Sequence, residues 1–140
     1  MNAPLRYDTA PITAAEFEAV QQDFLLLASQ AGMPAEVPRL HLQLRERDVL
    51  IGYASALCYG AWAYLTDLWI RADRRRKGHG TALLAQFERQ LQAGGVQALH
   101  LWTDGEEAAA FYERCGYSRH ITMRGYGAEN AAHIGLHKYL

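Results

Sequence analysis

The stretch Asp67–Thr81, DLWIRADRRRKGHGT, constrains this chain more than any other. An apolar run, Leu68-Trp69-Ile70, gives way to a basic turn carrying Gly78 and Gly80, and then to residues at helical spacing. A junction of this kind lets main-chain N–H groups close on an anion, adds the positive end of a helix dipole, and surrounds both with cations. Arg71, Arg74, Arg75, Arg76 and Lys77 supply five of the fourteen Lys and Arg residues, although the formal net charge is only −1. Because the positive charge is local, a small phosphorylated ligand is expected. Nucleic acid is not, since its phosphate lattice calls for a broad basic surface.

The flanks of the junction specify its setting. Thr13-Ala14-Ala15-Glu16 reads as a capping box ahead of Phe17, Val20, Phe24, Leu27, Ala28 and Ala31 at helical spacing, with Gly32 and Pro34 as the stop. His41 to Arg45 and Val49 to Cys58 predict a hairpin around Glu46-Arg47-Asp48, and Ala63 to Ile70 a third strand. After the basic turn, Leu83, Leu84, Phe87 and Leu91 form one apolar stripe that Gly94-Gly95 ends, and Val96 to Thr103 is the next strand. Asp104 with Glu107 is expected to cap a short helix on which Ala108, Phe111, Tyr112 and Cys115 share a face. Tyr117 to Tyr126 and Ala131 to Leu140 predict a final hairpin. The class is therefore α/β, with a mixed, mostly antiparallel sheet, helices on both faces, and a central parallel β-α-β unit whose strand ends leave room for a ligand.

The 140 residues are expected to form a single domain, 1–140. No apolar run approaches the roughly 20 residues needed to cross a bilayer, and Met1 to Asp8 carries no charged-then-apolar export pattern, so a cytoplasmic protein is expected. Cys58 and Cys115 are isolated thiols without metal-type spacing, in keeping with a reducing compartment.

Two nucleotide motifs fail on inspection. A P-loop needs Lys after its last glycine, and here Lys77 precedes Gly78; a dinucleotide fingerprint needs a small residue where Leu83 stands. What remains, Arg75-Arg76-Lys77-Gly78-His79-Gly80, resembles the Arg-x-x-Gly-x-Gly pyrophosphate loop of the GNAT superfamily of acetyl-coenzyme A-dependent N-acetyltransferases. Phe111-Tyr112-Glu113-Arg114-Cys115-Gly116-Tyr117 is similar to that family's Phe-Tyr-x-x-x-Gly-Phe signature. The resemblance implies the GNAT fold and acetyl-CoA as co-substrate. Its pyrophosphate would lie on Arg75, Arg76, Lys77, Gly78, His79, Gly80 and Thr81, and its arm would lie along the main chain of Leu68, Trp69 and Ile70. Arg71, Arg74, Arg76 or Lys77 would meet the ribose phosphate.

Acetyl transfer needs a neutral amine, a polarised carbonyl and a proton for the departing thiolate. Tyr112, on the apolar face of its helix and at the signature position, is the expected acid. Asp67 interrupts an apolar strand and by alternation shares a face with Leu65 and Trp69. A half-buried carboxylate there would act as base or as a substrate-binding group, with solvent deprotonating the amine in the second case. The resemblance implies that a main-chain N–H near Leu68 polarises the carbonyl. His79 is read as loop packing, and Cys115 as a buried thiol. His133 and His137 lack the glutamate of a zinc-protease helix, so no metal is implied. The family often has Asn seven residues before the signature tyrosine; here Gly105 stands there. The expected acceptor is a small-molecule amine, with no nucleic acid or membrane partner, and homodimers are common in the family. Alternatives are a protein or peptide amine, aminoacyl-tRNA, or a catalytically inactive coenzyme A-binding module.

Overall fold

A computed structural model describes residues 3–140; Met1 and Asn2, the first of the residues read for an export pattern, lie outside them. The chain divides into two compact units, Met1–Glu36 and Val37–Leu140.

In the first unit, α1 spans Ala14–Gln30. The capping box forms as expected: Glu16 N–H donates to Thr13 Oγ1 at 3.2 Å, and Thr13 N–H donates to Glu16 Oε1 at 2.9 Å. These bonds, the backbone one first, hold the exposed Glu16 carboxyl below its usual range. The Leu5–Asp8 stretch carries no regular structure.

In the second unit the elements are β1 (Arg39–Glu46), β2 (Val49–Tyr59), β3 (Trp62–Ile70), α2 (His79–Ala93), β4 (Ala98–Asp104), α3 (Glu106–Arg114), β5 (Ser118–Arg124) and β6 (Ala132–Tyr139). A single turn of 3-10 helix, Ala72–Arg74, joins β3 to the basic loop. The strands form one sheet in the order β1-β2-β3-β4-β6-β5, and every neighbouring pair is antiparallel except β3 with β4. The helix α2 connects those two parallel strands, as the apolar stripe between them requires.

Packing follows the alternation of the strands. Leu83, Leu84, Phe87 and Leu91 of α2 are buried against Ala54 and Ala56 of β2, Ala63 and Leu65 of β3, and Leu99 and Leu101 of β4. Alanines beneath the helix let it approach closely, while the large side chains exclude water at about 1.5–3 kcal/mol each. Ala109, Phe111 and Tyr112 of α3 join the same cluster beside Ile134 and Leu136 of β6, so α2 and α3 share one face of the sheet. Lys138 fastens that layer: its Nζ lies 2.8 Å from Oε2 of the buried Glu88 and donates to Cys115 O at 2.9 Å.

A bulge in β3 positions the site. Ser55 pairs with Asp67 but Ala56 pairs with Leu65, which leaves Thr66 as an extra residue. The extra residue breaks the alternation expected from sequence. Leu65 points into the α2 core, whereas Asp67 and Trp69 belong to the opposite face, so the expected sharing of a face by Asp67 and Leu65 is not found.

Candidate active site

The strands β3 and β4 pair only from Trp62 with Ala98 to Tyr64 with His100. Beyond Tyr64 the bulge re-aims β3, and the two strands diverge toward their C-terminal ends. The gap is a cavity of about 830 Å³, with Leu68 and Ile70 on one wall, Thr103 and Asp104 on the other, and Phe111 and Tyr112 of α3 closing one side.

The basic loop forms the rim. Arg76 and Gly78 both have left-handed backbone, with φ of 60° and 82°. Gly78 is the N-cap of α2 and no side chain caps that helix, so N–H groups of its first turn are left for an anion. His79, expected inside the loop, opens α2 instead. Gly78 and Gly80 differ in what they ask of the chain. A Cβ on Gly78 would meet nothing within 4 Å, so only its φ disfavours other residues; a Cβ on Gly80 would sit in ordinary contact, 3.4 Å from Phe111 Cζ.

The cations separate into committed and free. Arg71 clasps Asp73 with two 2.7 Å bonds, and Arg74 reaches Glu46 at 2.6 Å and Asp73 at 3.1 Å. These bonds raise both guanidinium pKa values and lower those of Asp73 and Glu46, so Arg71 and Arg74, expected at a phosphate, already hold carboxylates. Arg75 Nε donates to Ile70 O at 2.8 Å, folding the loop back on the end of β3. Arg76 is almost fully exposed and has one long contact, 3.5 Å, to the equally exposed Glu107.

Tyr112 is mostly buried between Phe111 and Tyr117, edge-on to both at centroid distances of 5.1 and 5.6 Å. Burial, with a smaller effect from Cys115, pushes its pKa up to about 12, so the phenol stays protonated across the neutral range. Burial likewise pushes up the Cys58 and Cys115 thiols, the opposite of what a nucleophilic cysteine needs.

The cavity thus gathers Leu68, Ile70, Arg75, Arg76, Gly78, His79, Gly80, Thr81 and Tyr112 from the sequence-predicted set. It does not include the side chains of Asp67, Trp69 or Lys77. Asp67 is half-exposed on the other face, its Oδ2 2.8 Å from the Thr66 hydroxyl and 3.8 Å from Arg39 Nη1. Arg39 also donates to Ser55 Oγ and Thr66 Oγ1, both at 2.7 Å. Asp104 departs from expectation as well. Gly105, at φ 87°, is the N-cap of α3 without a side-chain bond, while Asp104 Oδ1 lies 2.7 Å from His133 Nδ1. That pair was missed from sequence because nothing local links residues 29 apart; the β4–β6 register, which sets Asp104 opposite His133, would have found it.

Residues 7–117 match the model of the acetyltransferase (GNAT) family. The chain belongs to that family of acyltransferases. Among curated relatives of this GNAT chain, a mycothiol acetyltransferase from Stackebrandtia nassauensis is 26% identical over 134 residues, covering 87% of this chain and 44% of the relative. A second mycothiol acetyltransferase, from Kineococcus radiotolerans, is 34% identical over 84 residues, 56% of this chain and 27% of its own length. The chain thus spans less than half the length of these curated relatives. Among solved structures, an acetyltransferase from Bacillus cereus superposes with a TM-score of 0.82 at 17% identity, covering 96% of this chain and 98% of its own. An aminoglycoside 6′-N-acetyltransferase complexed with coenzyme A gives 0.66 at 21% identity over 72% of each chain. The likeness to these neighbours is one of fold, and in this chain that fold is a six-stranded mixed sheet with a parallel β3–β4 pair. Among the described residues, no helix is long and apolar enough to cross a membrane.

Proposed function

We propose that this GNAT chain transfers the acetyl group of acetyl-coenzyme A to a primary amine of a small molecule by direct attack, with Tyr112 as general acid. One observation carries the reading: a single cavity has an uncapped, cation-rimmed helix N-terminus at its mouth and a buried, protonated phenol in its wall.

The residues fit such a co-substrate. Main-chain N–H groups of Gly78 to Thr81 supply the pyrophosphate seat, and Arg76, Lys77 and the free end of Arg75 supply charge for the phosphates. Past the bulge, the main chain of Leu68 to Ile70 borders the divergence and offers the arm a strand edge, with Leu68 N–H available to polarise the thioester carbonyl. At Tyr112 Oη the proton goes to the departing thiolate. An unperturbed alkyl thiol titrates near 8.5, below this phenol, but the same desolvation that raises Tyr112 also disfavours the thiolate, which narrows the gap. Asp67, on the other face and beside Thr66, supplies a carboxylate for the positively charged acceptor.

Calorimetry with coenzyme A, followed by thiol release from acetyl-coenzyme A, tests the reading. The amine panel spans polyamines, aryl-alkyl amines, amino sugars and peptide N-termini. Binding with thiol release on a small amine is expected. Release only with peptides would transfer the activity to a protein acceptor, binding without release would leave a binding module, and no binding would overturn the proposal.

A further inference from the structure

Resting on the acetyl transfer proposed above, we infer that His133, oriented by Asp104, is the base that takes the proton from the acceptor amine. His133 lies beyond the residues matched by the family model, so the match assigns it no role. It stands near the start of β6, directly opposite Asp104 at the end of β4; Asp104 lines the cavity, whereas His133, next to the core residue Ile134, borders it from the sheet face away from α2, the face that also carries Asp67, and is not itself among the lining residues. The 2.7 Å contact from His133 Nδ1 to Asp104 Oδ1 fixes the tautomer. An ionised carboxylate only accepts, so Nδ1 carries the hydrogen and Nε2 presents a lone pair.

The ring is also held in its plane. It stacks on Trp102 at 4.6 Å with an interplanar angle of 2°, and on Tyr126 at 4.4 Å and 15°. Its side chain keeps 22% of its surface open. No other polar partner of the ring is found among the described residues. The titratable groups facing it are Asp104 from β4 and Tyr126 from the turn after β5. The β5 residue opposite is the neutral Met123, and His120 lies beyond the Trp102 ring. Asp67, by contrast, is engaged by Thr66 and faces Arg39.

The step balances as follows. His133 Nε2 accepts one proton from the acceptor ammonium, and the freed nitrogen forms a bond to the thioester carbonyl carbon. The carbon–sulfur bond breaks and the thiolate takes the Tyr112 hydroxyl proton. The second proton, lost as the nitrogen becomes an amide, returns to Tyr112 through solvent. His133 releases its own to water, so one proton is liberated per ammonium acetylated.

The test compares wild type with His133→Phe and Asp104→Asn in thiol-release assays across pH. His133→Phe keeps an aromatic ring between Trp102 and Tyr126 but removes the proton acceptor. It is expected to lower kcat/KM by about 10²–10⁴-fold and to abolish the acidic limb of the pH profile, while leaving coenzyme A affinity by calorimetry unchanged. Asp104 is a positioning residue, and Asp104→Asn is expected to lower kcat less than His133→Phe with KM little changed, because the amide no longer obliges Nδ1 to carry the hydrogen. A His133→Phe enzyme with wild-type rate, or with its acidic limb intact, would overturn the inference alone. Should that variant fail to give a cooperative melt, a wild-type kcat in Asp104→Asn overturns it instead. Wild type that releases no thiol with any amine would remove the acetyl-transfer reading and this inference together.

Discussion

The two strand-to-helix junctions that border the cavity are built alike and charged oppositely. Both helices start from a glycine N-cap at positive φ, reached from β3 through the 3-10 turn and the basic loop and from β4 directly, and neither α2 nor α3 has a side-chain bond at its N-cap. The first turn of α2 holds no acidic residue and follows a run of cations, so its dipole is open to an anion from outside. The first turn of α3 holds Glu106 and Glu107, which offset the dipole from within. Glu106 is in turn gripped by Arg119 at 3.2 and 2.8 Å. A glycine at a helix start therefore does not by itself make a phosphate seat; the local charge leaves one junction open to an anion and offsets the other. On this reading the β3–α2 side holds the co-substrate and the β4–α3 side does the chemistry.

The largest expected effect breaks the chemical side alone. Tyr112→Phe removes the hydroxyl from a packed ring and should reduce kcat by about 10²–10⁴-fold. Coenzyme A affinity measured by calorimetry should stay within twofold. A full rate in this variant would remove Tyr112 as acid, and a large loss of affinity would show that the two junctions do not divide the work. The next effect falls on the binding side. Gly78→Val places a branched residue at φ 82° with open space around it, so its cost is conformational, about 1–2 kcal/mol, or roughly 5–30-fold in the population of the loop. The dissociation constant for coenzyme A should rise by that factor with kcat at saturation little changed. Unchanged affinity would contradict the loop assignment.

Much of this contrast was legible in the sequence because it is local. The apolar stripe on α2, the glycines, the cation run and the Phe111-Tyr112 pair lie within short windows whose spacing has direct physical meaning. The first strand was read as His41 to Arg45 but extends from Arg39 to Glu46; the alternation of Leu40, Leu42 and Leu44 signals its start, and only the charged ends Arg39 and Glu46 carry no hydropathy signal. Non-local relations were not legible. The Thr66 bulge depends on how β2 and β3 register, and it moved Asp67 to the other face. The pairing of Arg74 with Glu46 spans 28 residues and needs the β1–β2 turn to come beside the loop, whereas Asp73, between the two arginines, was a legible partner that the sequence reading passed over. The capping role expected of Asp104 failed because β6 brings His133 within reach of its carboxylate.

Smaller effects sharpen the charge contrast at the point where the junctions touch. Arg76 and Glu107 meet at 3.5 Å with both side chains about nine-tenths exposed, a pair worth less than about 1 kcal/mol. Arg76→Gln should weaken coenzyme A binding a few-fold and flatten its salt dependence, since one screened attraction is lost. Glu107→Gln should act in the opposite direction, by twofold or less, because it frees Arg76 and removes a negative charge from the cavity wall. If both variants weakened binding, Glu107 would be holding Arg76 in place for the phosphate and the opposition of the two junctions would need revision.

The smallest effect concerns the wall itself. Hydrogen bonding from Arg119 holds the exposed Glu106 carboxyl below its usual range. A carboxyl with a depressed folded pKa contributes stability above its unfolded value, near 4.3, and loses it as pH falls through the folded value. Thermal midpoints of the wild type should therefore decline below about pH 4 partly through this tether between α3 and β5, whereas Glu106→Gln should start slightly lower at neutral pH and decline less steeply. Parallel curves for the two proteins would mean that α3 is held by its buried face alone. In that case Glu106 would serve the junction only by offsetting the helix dipole, and the same variant should then show a small gain in anion affinity at α3 that the tethered arrangement does not predict.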